Sequence, residues 1–266
     1  MEIKTFTIKC LAPLLVSAML ISACKKDTAS NVVNLPVVEA YLMAGKQLQV
    51  KLYGQKALTD TAKYGSPLKG LQLSVSDGSK TVQLTESPAG TYIYTDTTFL
   101  TAGKTYILQF NYLNTAVSAT TVMPGKPINF ATQHSGITIP TSTTNSTIDT
   151  LDVLSWQNPD SLNHVLVFNN LDGTSFGING FGFNRSASFE LNTNRASKYF
   201  VTRQPFSYYG HYQVVLLRVN QEYINLLTSN SSNSTSQTLK SQPTNVTNGL
   251  GIFTAMQADT VNLLVQ

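Results

Sequence analysis

Ile21-Ser22-Ala23-Cys24 is the short run whose residue types and order point to a reaction. A cysteine thiolate is a strong nucleophile, and small side chains just before it leave room for a peptidase to cut. Elsewhere the search for chemistry returns little. His134, His164 and His211 are not at metal-ligand spacing, and each reads as a strand or loop residue. No D-x-D-x-D-G calcium loop occurs, and Ser155 and Ser207 lack a Gly-x-Ser-x-Gly elbow. Asp149 and Asp152 lie three apart in an expected strand, which sets them on opposite faces. Gly173, Gly177, Gly180 and Gly182 interleave with Phe176, Phe181 and Phe183 and lead into no helix pattern, so they read as an irregular aromatic loop rather than a phosphate cradle. These residues name no catalytic group, no metal site and no cofactor. Trp156, Tyr208, Tyr209 and Tyr212 are the candidate ligand contacts, because aromatic faces stack on sugars or peptides; the same residues also fill sandwich cores.

The segment before Cys24 gives its thiol a context. Lys4 and Lys9 make a positive end, and Cys10 to Ile21 is uncharged and mostly apolar. That run is shorter than the roughly 20 residues a membrane-spanning helix needs. Residues 1–23 therefore read as an export signal, and Ile21–Cys24 resembles the bacterial lipobox, with Cys24 acylated by palmitate-type chains. Two or three acyl chains hold a protein stably at a bilayer, where one is marginal. Cys10 falls in the discarded segment, so the mature chain has no free thiol, no disulfide and no cysteine metal site.

Removing Lys4, Lys9 and Glu2 leaves 16 basic and 13 acidic residues, a net charge of +3. Beyond Lys25-Lys26 there is no basic cluster, which argues against nucleic acid as a partner. Low charge with abundant Thr, Tyr and Phe favours β-structure.

Residues 24–34 read as a lipidated polar tether. From Val37 the hydrophobic period becomes two. Leu48, Val50 and Leu52 alternate with polar residues, as do Leu71, Leu73 and Val75. Asp77-Gly78 signals a hairpin with a type I′ turn. Tyr92 and Tyr94, then Tyr106 to Tyr112, then Val117 to Met123 complete a set of short strands. This spacing predicts an immunoglobulin-like or transthyretin-like β-sandwich over 35–124. Pro124-Gly125-Lys126-Pro127 breaks ladder and helix alike and marks the boundary. A second, β-rich, sandwich-like domain is expected over 128–266. Its strands are Ile137–Pro140, Ile148–Trp156, Val165–Asn169, Ser186–Leu191, Tyr199–Thr202, Tyr212–Arg218 and Thr260–Val265. One short helix is expected at Gln221–Leu227, capped by Asn220. Thr141–Thr147 and Thr228–Thr238 read as polar loops.

The order of these pieces carries a resemblance. The lipobox precedes a sandwich opening with Val37-Val38-Glu39-Ala40-Tyr41. Leu154-Ser155-Trp156-Gln157-Asn158-Pro159 stands mid-chain, Arg218 to Leu227 forms a strand and helix, and Asn245-Val246-Thr247-Asn248-Gly249-Leu250-Gly251-Ile252-Phe253 closes the pattern. The chain resembles an uncharacterised Bacteroidota outer-membrane lipoprotein family, DUF4249. The resemblance implies a lipid-anchored protein on the periplasmic face or cell surface, beside a TonB-dependent transporter or other outer-membrane protein, with no catalytic residues to carry over. Gly249 and Gly251 need mean only a strained turn entering the last strand, a ligand loop being the alternative. In that phylum exported proteins carry O-glycans on Ser or Thr after Asp. Thr28, Thr61, Thr97, Thr150, Ser161 and Thr260 stand in that context and use six of the nine aspartates. The functional expectation is a non-enzymatic accessory or binding protein. The alternatives are a structural or adhesive surface β-protein and a glycan or peptide hydrolase.

Overall fold

The computed structural model describes residues 34–56, 61–62, 64–139, 150–178, 186–231 and 243–266. Cys24, Thr28 and the tether lie outside the described residues.

Alternation sets the first strands. In β1 (Pro36–Met43) and β2 (Leu48–Gly54), Val38, Ala40, Leu42, Leu48, Val50 and Leu52 point inward and are buried. β2 continues through β6 (Thr91–Tyr94) to β5 (Thr85–Glu86). Against this sheet packs a second, in the order β16 (Val246–Thr247), β8 (Thr115–Val122), β7 (Thr105–Tyr112), β3 (Ser74–Ser76) and β4 (Thr81–Gln83). Tyr92, Tyr106, Leu108 and Phe110 fill the space between the two. The Asp77-Gly78 hairpin forms, with a correction. Asp77 N–H donates to the Lys80 carbonyl, so Gly78 and Ser79 are the turn centres, and Gly78 takes the positive φ. Glycine at the first centre marks the type II′ geometry, not I′.

After Pro127 a second pair of sheets follows. β14 (Lys198–Val201), β11 (Asp152–Gln157) and β9 (Ile128–Thr132) make one. β13 (Phe189–Asn192), β12 (His164–Asn170), β15 (Gly210–Val219), β17 (Leu250–Val265) and β10 (Gly136–Ile137) make the other. Leu154, Trp156, Leu166, Phe168, Val214 and Leu216 form their shared core. The protein is therefore mostly β, with two sandwich cores, but Pro124–Pro127 does not divide them cleanly, because Val246, Phe253 and Ala255 from the C-terminal part of the chain pack into the first core.

One strand belongs to both cores. Leu250–Met256 of β17 runs parallel to β1, and Met256–Val265 runs antiparallel to β15. Phe253 and Ala255 enter the first core, and Leu263 and Val265 the second. The two halves thus share one nine-stranded sheet. Residues 252–257 are all buried, so this stretch has no wet face and shows no alternation. The hydrophobic period accordingly predicts strand only over Thr260–Val265, whereas β17 begins ten residues earlier, at Leu250.

The helix, α1 (Gln221–Ser231), lies on the outer face of the shared sheet, with Ile224 against Val165, Val219 and Met256. Asn220 does not cap it with its side chain. Its carbonyl accepts from Tyr223 N–H, while its amide donates to Thr121 Oγ1 and the Val122 carbonyl of β8. Glu222, in the first turn, accepts from Thr121 and Thr254 hydroxyls. A carboxylate at this end also suits the helix dipole.

Candidate functional site

The outer face of β1 and β17 carries the residues that interior packing does not use. Inward residues of β1 have even numbers, so Glu39, Tyr41 and Met43 face out. Tyr41 is 42% exposed. α1 approaches from one side and brings Tyr223, whose ring meets Tyr41 edge to face at 6.2 Å and 82°. Edge-to-face contact sets the positive rim of one ring against the negative face of the other. From the opposite side β13 brings Glu190, which accepts a 3.1 Å hydrogen bond from the Tyr223 hydroxyl. Leu226, Leu227 and Met256 complete the lining of a solvent-open groove of about 300 Å³.

Burial pushes the Tyr223 phenol well above its ordinary value, and the Glu190 carboxylate adds to the shift. Burial raises Tyr41 too, with Glu39, Tyr64 and Glu190 contributing. Both rings therefore stay neutral at physiological pH and act as hydrogen-bonding, stackable surfaces rather than as acids or nucleophiles. Glu190 is exposed and keeps acceptor capacity beyond the Tyr223 bond. The aromatic face continues along β2, where Tyr53 stacks on Tyr64 at 4.9 Å, and Glu39 lies 4.0 Å from Lys51. Two aromatic walls, an apolar floor and one carboxylate suit a ligand with an apolar face and donor groups at its edge.

The residues anticipated as ligand contacts are elsewhere. Trp156 is 4% exposed and packs in the second core against Phe130 and His164. Its indole N–H is buried without a hydrogen-bond partner among the described residues. Tyr212 is 1% exposed, meets Phe206 edge on, and donates its hydroxyl hydrogen to the Tyr208 carbonyl. Both are core residues. Tyr208 and Tyr209 are half-buried beside them, with Tyr209 packed on the core.

The hydroxyls of the Asp-Ser/Thr pairs are dispersed. Thr61, Thr97, Thr150, Ser161 and Thr260 are all exposed and sit on separate loops and strands. Asp96 has a local role as well, accepting from both the N–H and the hydroxyl of Thr98.

Two of the three histidines gain a partner that spacing hid. His134 Nδ1 and N–H both lie near 3.0 Å from Asp152 Oδ1, at 3.0 and 3.1 Å. Asp152 also accepts from the Thr132 hydroxyl and is fully buried. His211 repeats the device with Asp172 Oδ2, at 2.9 Å from Nδ1 and 2.8 Å from the backbone N–H. Each carboxylate fastens a loop to a strand end. The partners are 18 and 39 residues apart, beyond any local motif. His164 is buried, and desolvation lowers its pKa. Among the described residues no three His, Cys, Asp or Glu side chains converge on a metal-sized site, and no helix is long and apolar enough to cross a membrane.

A family model described as "Domain of unknown function (DUF4249)" matches residues 26–261. No curated protein matches the sequence. Among solved structures, the crystal structure of chicken CNTN1 FN1–FN3 domains is 10% identical, with 86% of this chain and 64% of that chain covered and a TM-score of 0.21. The native conformation of E. coli alpha-2-macroglobulin, from cryo-EM, is 14% identical, with 85% and 14% covered and a TM-score of 0.24. The chain spans less than two thirds of the length of either.

Proposed function

The chain belongs to the DUF4249 family, and we propose on that premise that it is a lipid-anchored, non-catalytic binding protein of the bacterial outer membrane. In this reading Cys24 carries the acyl chains and residues 25–34 are the tether. A ligand or partner sits in the groove of Tyr41, Tyr223 and Glu190. The observation that carries it is that groove: two tyrosines kept protonated, one carboxylate, and an apolar floor from Leu226, Leu227 and Met256. Such a lining offers stacking and one acceptor. Among the described residues Glu190 is the one carboxylate of that lining, with Glu39 beside it lying 4.0 Å from Lys51, and no nucleophile–base pair of the kind hydrolysis uses accompanies them, which supports binding over catalysis.

The lipid anchor rests on the Ile21–Cys24 motif, and the outer-membrane setting and a place beside a TonB-dependent transporter rest on the family resemblance. O-glycosylation is part of the same reading. Its support is that five candidate hydroxyls, Thr61, Thr97, Thr150, Ser161 and Thr260, are solvent-exposed. Intact-mass measurement of native protein tests it, and a mass equal to the acylated polypeptide alone removes it.

The deciding experiment places a photo-crosslinking residue at position 41 and irradiates native membranes. The reading expects a discrete adduct, with an outer-membrane barrel among its candidates, that is lost when Tyr223 and Glu190 are both replaced by alanine. Adducts no different from those at exposed Thr150 would refute it. Cys24→Ala should abolish lipid labelling and release the protein from the membrane fraction.

A further inference from the structure

We infer that the hairpin tip between β7 and β8, led by Leu113, is a membrane-contacting finger that rests on the bilayer to which Cys24 is anchored. This rests on the anchoring reading above.

The tip is a two-residue turn. Tyr112 pairs with Thr115, and Leu113 and Asn114 have φ of 46° and 62°. Positive φ at both centres defines a type I′ turn, which favours Asn and Gly. Asn114 suits it. Leu113 does not, because a left-handed backbone brings a Cβ against the following carbonyl. Burial among the described residues does not offset that strain, since Leu113 is 67% exposed, the most exposed large apolar side chain among them. A strained, solvent-facing leucine is a feature that packing does not explain, and such residues point to use at a surface.

The fold places the base of this hairpin beside the start of β1. Asn248 donates its side-chain amide to the Ala116 carbonyl, beside the turn that opens β17. A Cβ built on Gly249 would lie 3.1 Å from the Pro36 carbonyl and 3.4 Å from Val117 Cγ1. So the base of the hairpin and the first residue of β1 share one end of the sandwich. Val117 is two strand steps from Thr115, about 7 Å at about 3.3 Å per residue, and with the turn residues beyond it the tip projects on the order of 10 Å past that level. Leu35 is eleven residue steps from Cys24, which limits the distance between the two to about 40 Å. The segment that runs into β3 comes from the same end, because Ser74 pairs with Gln109 and the ladder is antiparallel. It carries exposed Lys69, a cation suited to anionic headgroups. Lys69 nevertheless stands beside Glu86 and so adds little net charge, which leaves the apolar side chain on a projecting turn as the group suited to interfacial insertion. The occupant is therefore the lipid surface itself.

Leu171 provides a control. It is 63% exposed, yet it lies at the far end of β17. Its N–H donates to His211, which pairs with Leu264. Fourteen strand residues, about 46 Å, separate Leu264 from Leu250.

The experiment uses the full acylated protein reconstituted in protein-free vesicles of phosphatidylethanolamine and phosphatidylglycerol. Leu113→Cys and Leu171→Cys each supply a single reactive thiol for a polarity-sensitive fluorophore. The finger predicts a blue shift at position 113 and at least twofold quenching there by a quencher attached to lipid chains, with position 171 unchanged. Leu113→Asn with the label at Asn114→Cys should lose most of that quenching while remaining folded. Co-flotation with an aqueous signal at 113 overturns the finger alone, and a shift seen only in native membranes would assign the tip to a protein partner instead. Failure to float at all would remove the anchoring reading, and the finger with it.

Discussion

Gly251→Ala tests whether β17 joins the two cores. Gly251 has φ +94° and pairs with Val38 of β1. An added Cβ would lie 2.0 Å from the Val38 carbonyl oxygen and 3.0 Å from two further Val38 backbone atoms. No side-chain rotation relieves this, because every atom it meets is main chain. Clearing the oxygen requires the strands to separate locally by about 1 Å. That opens two or three ladder hydrogen bonds, at about 1 kcal/mol each. Left-handed backbone at alanine adds about 1–2 kcal/mol. The expected loss is therefore about 3–5 kcal/mol, a large share of the roughly 5–15 kcal/mol that holds a domain folded. Gly45→Ala isolates the backbone term. Its φ is +77° and nothing lies within 4 Å of the built Cβ, so it should lose only about 1–2 kcal/mol. Guanidinium unfolding of both variants measures the difference. Trp156 fluorescence follows the second core alone, while near-ultraviolet tyrosine dichroism follows both, since Tyr92 and Tyr106 are buried in the first core and Tyr212 in the second. Gly251→Ala should move both transitions. Equal midpoints for the two alanine variants would refute the steric argument. A tyrosine transition that moves while the Trp156 transition stays would refute the coupling.

Other perturbations probe separate parts of the molecule. Hydrogen bonds from Lys104, then from the Lys80 and Ser79 backbone, hold Asp77 down to about 2 from 3.8. A depressed folded value adds stability that is complete above the unfolded pKa and is lost as pH falls through the folded one. Asp77→Asn should therefore be less stable at neutral pH and should lose less than the parent between pH 3.8 and about 2 in acid unfolding followed by circular dichroism. Leu113→Asn should raise stability by about 1 kcal/mol in denaturant titration, since Asn accepts the left-handed turn. Tyr41→Ala should lower stability by no more than about 1 kcal/mol, because Tyr41 is 42% exposed. It should nevertheless abolish occupancy of the groove, read as loss of adduct from an apolar crosslinking residue moved to Leu226 of the floor.

Where one sheet face is wet, the fold was legible in the sequence. Leu48, Val50 and Leu52, and Tyr106, Leu108 and Phe110, alternate because only one side of each strand is covered. Where both faces are covered the signal vanishes, as in Ile252 to Gln257, and with it the strand that makes one sheet of two halves. The Gly249-x-Gly251 pair was legible as a backbone requirement, but the reasons are the Val38 carbonyl for Gly251 and the Pro36 carbonyl and Val246 side chain for Gly249, and both carbonyls lie more than two hundred residues earlier in the chain. The groove could not be read locally. Tyr41, Glu190 and Tyr223 come from a first strand, an edge strand and a helix, and each by itself is an unremarkable outward residue. The aromatic density around Trp156 and Tyr212 drew attention instead, because burial between sheets and stacking on ligands select the same residue types. What separates the two uses is the parity of each residue on its strand relative to the core. Tyr41 is odd on a strand whose even residues are buried, while Tyr212 shares its face with buried Val214 and Leu216. Phase, set by neighbouring strands rather than by residue type, decides which tyrosine meets the solvent.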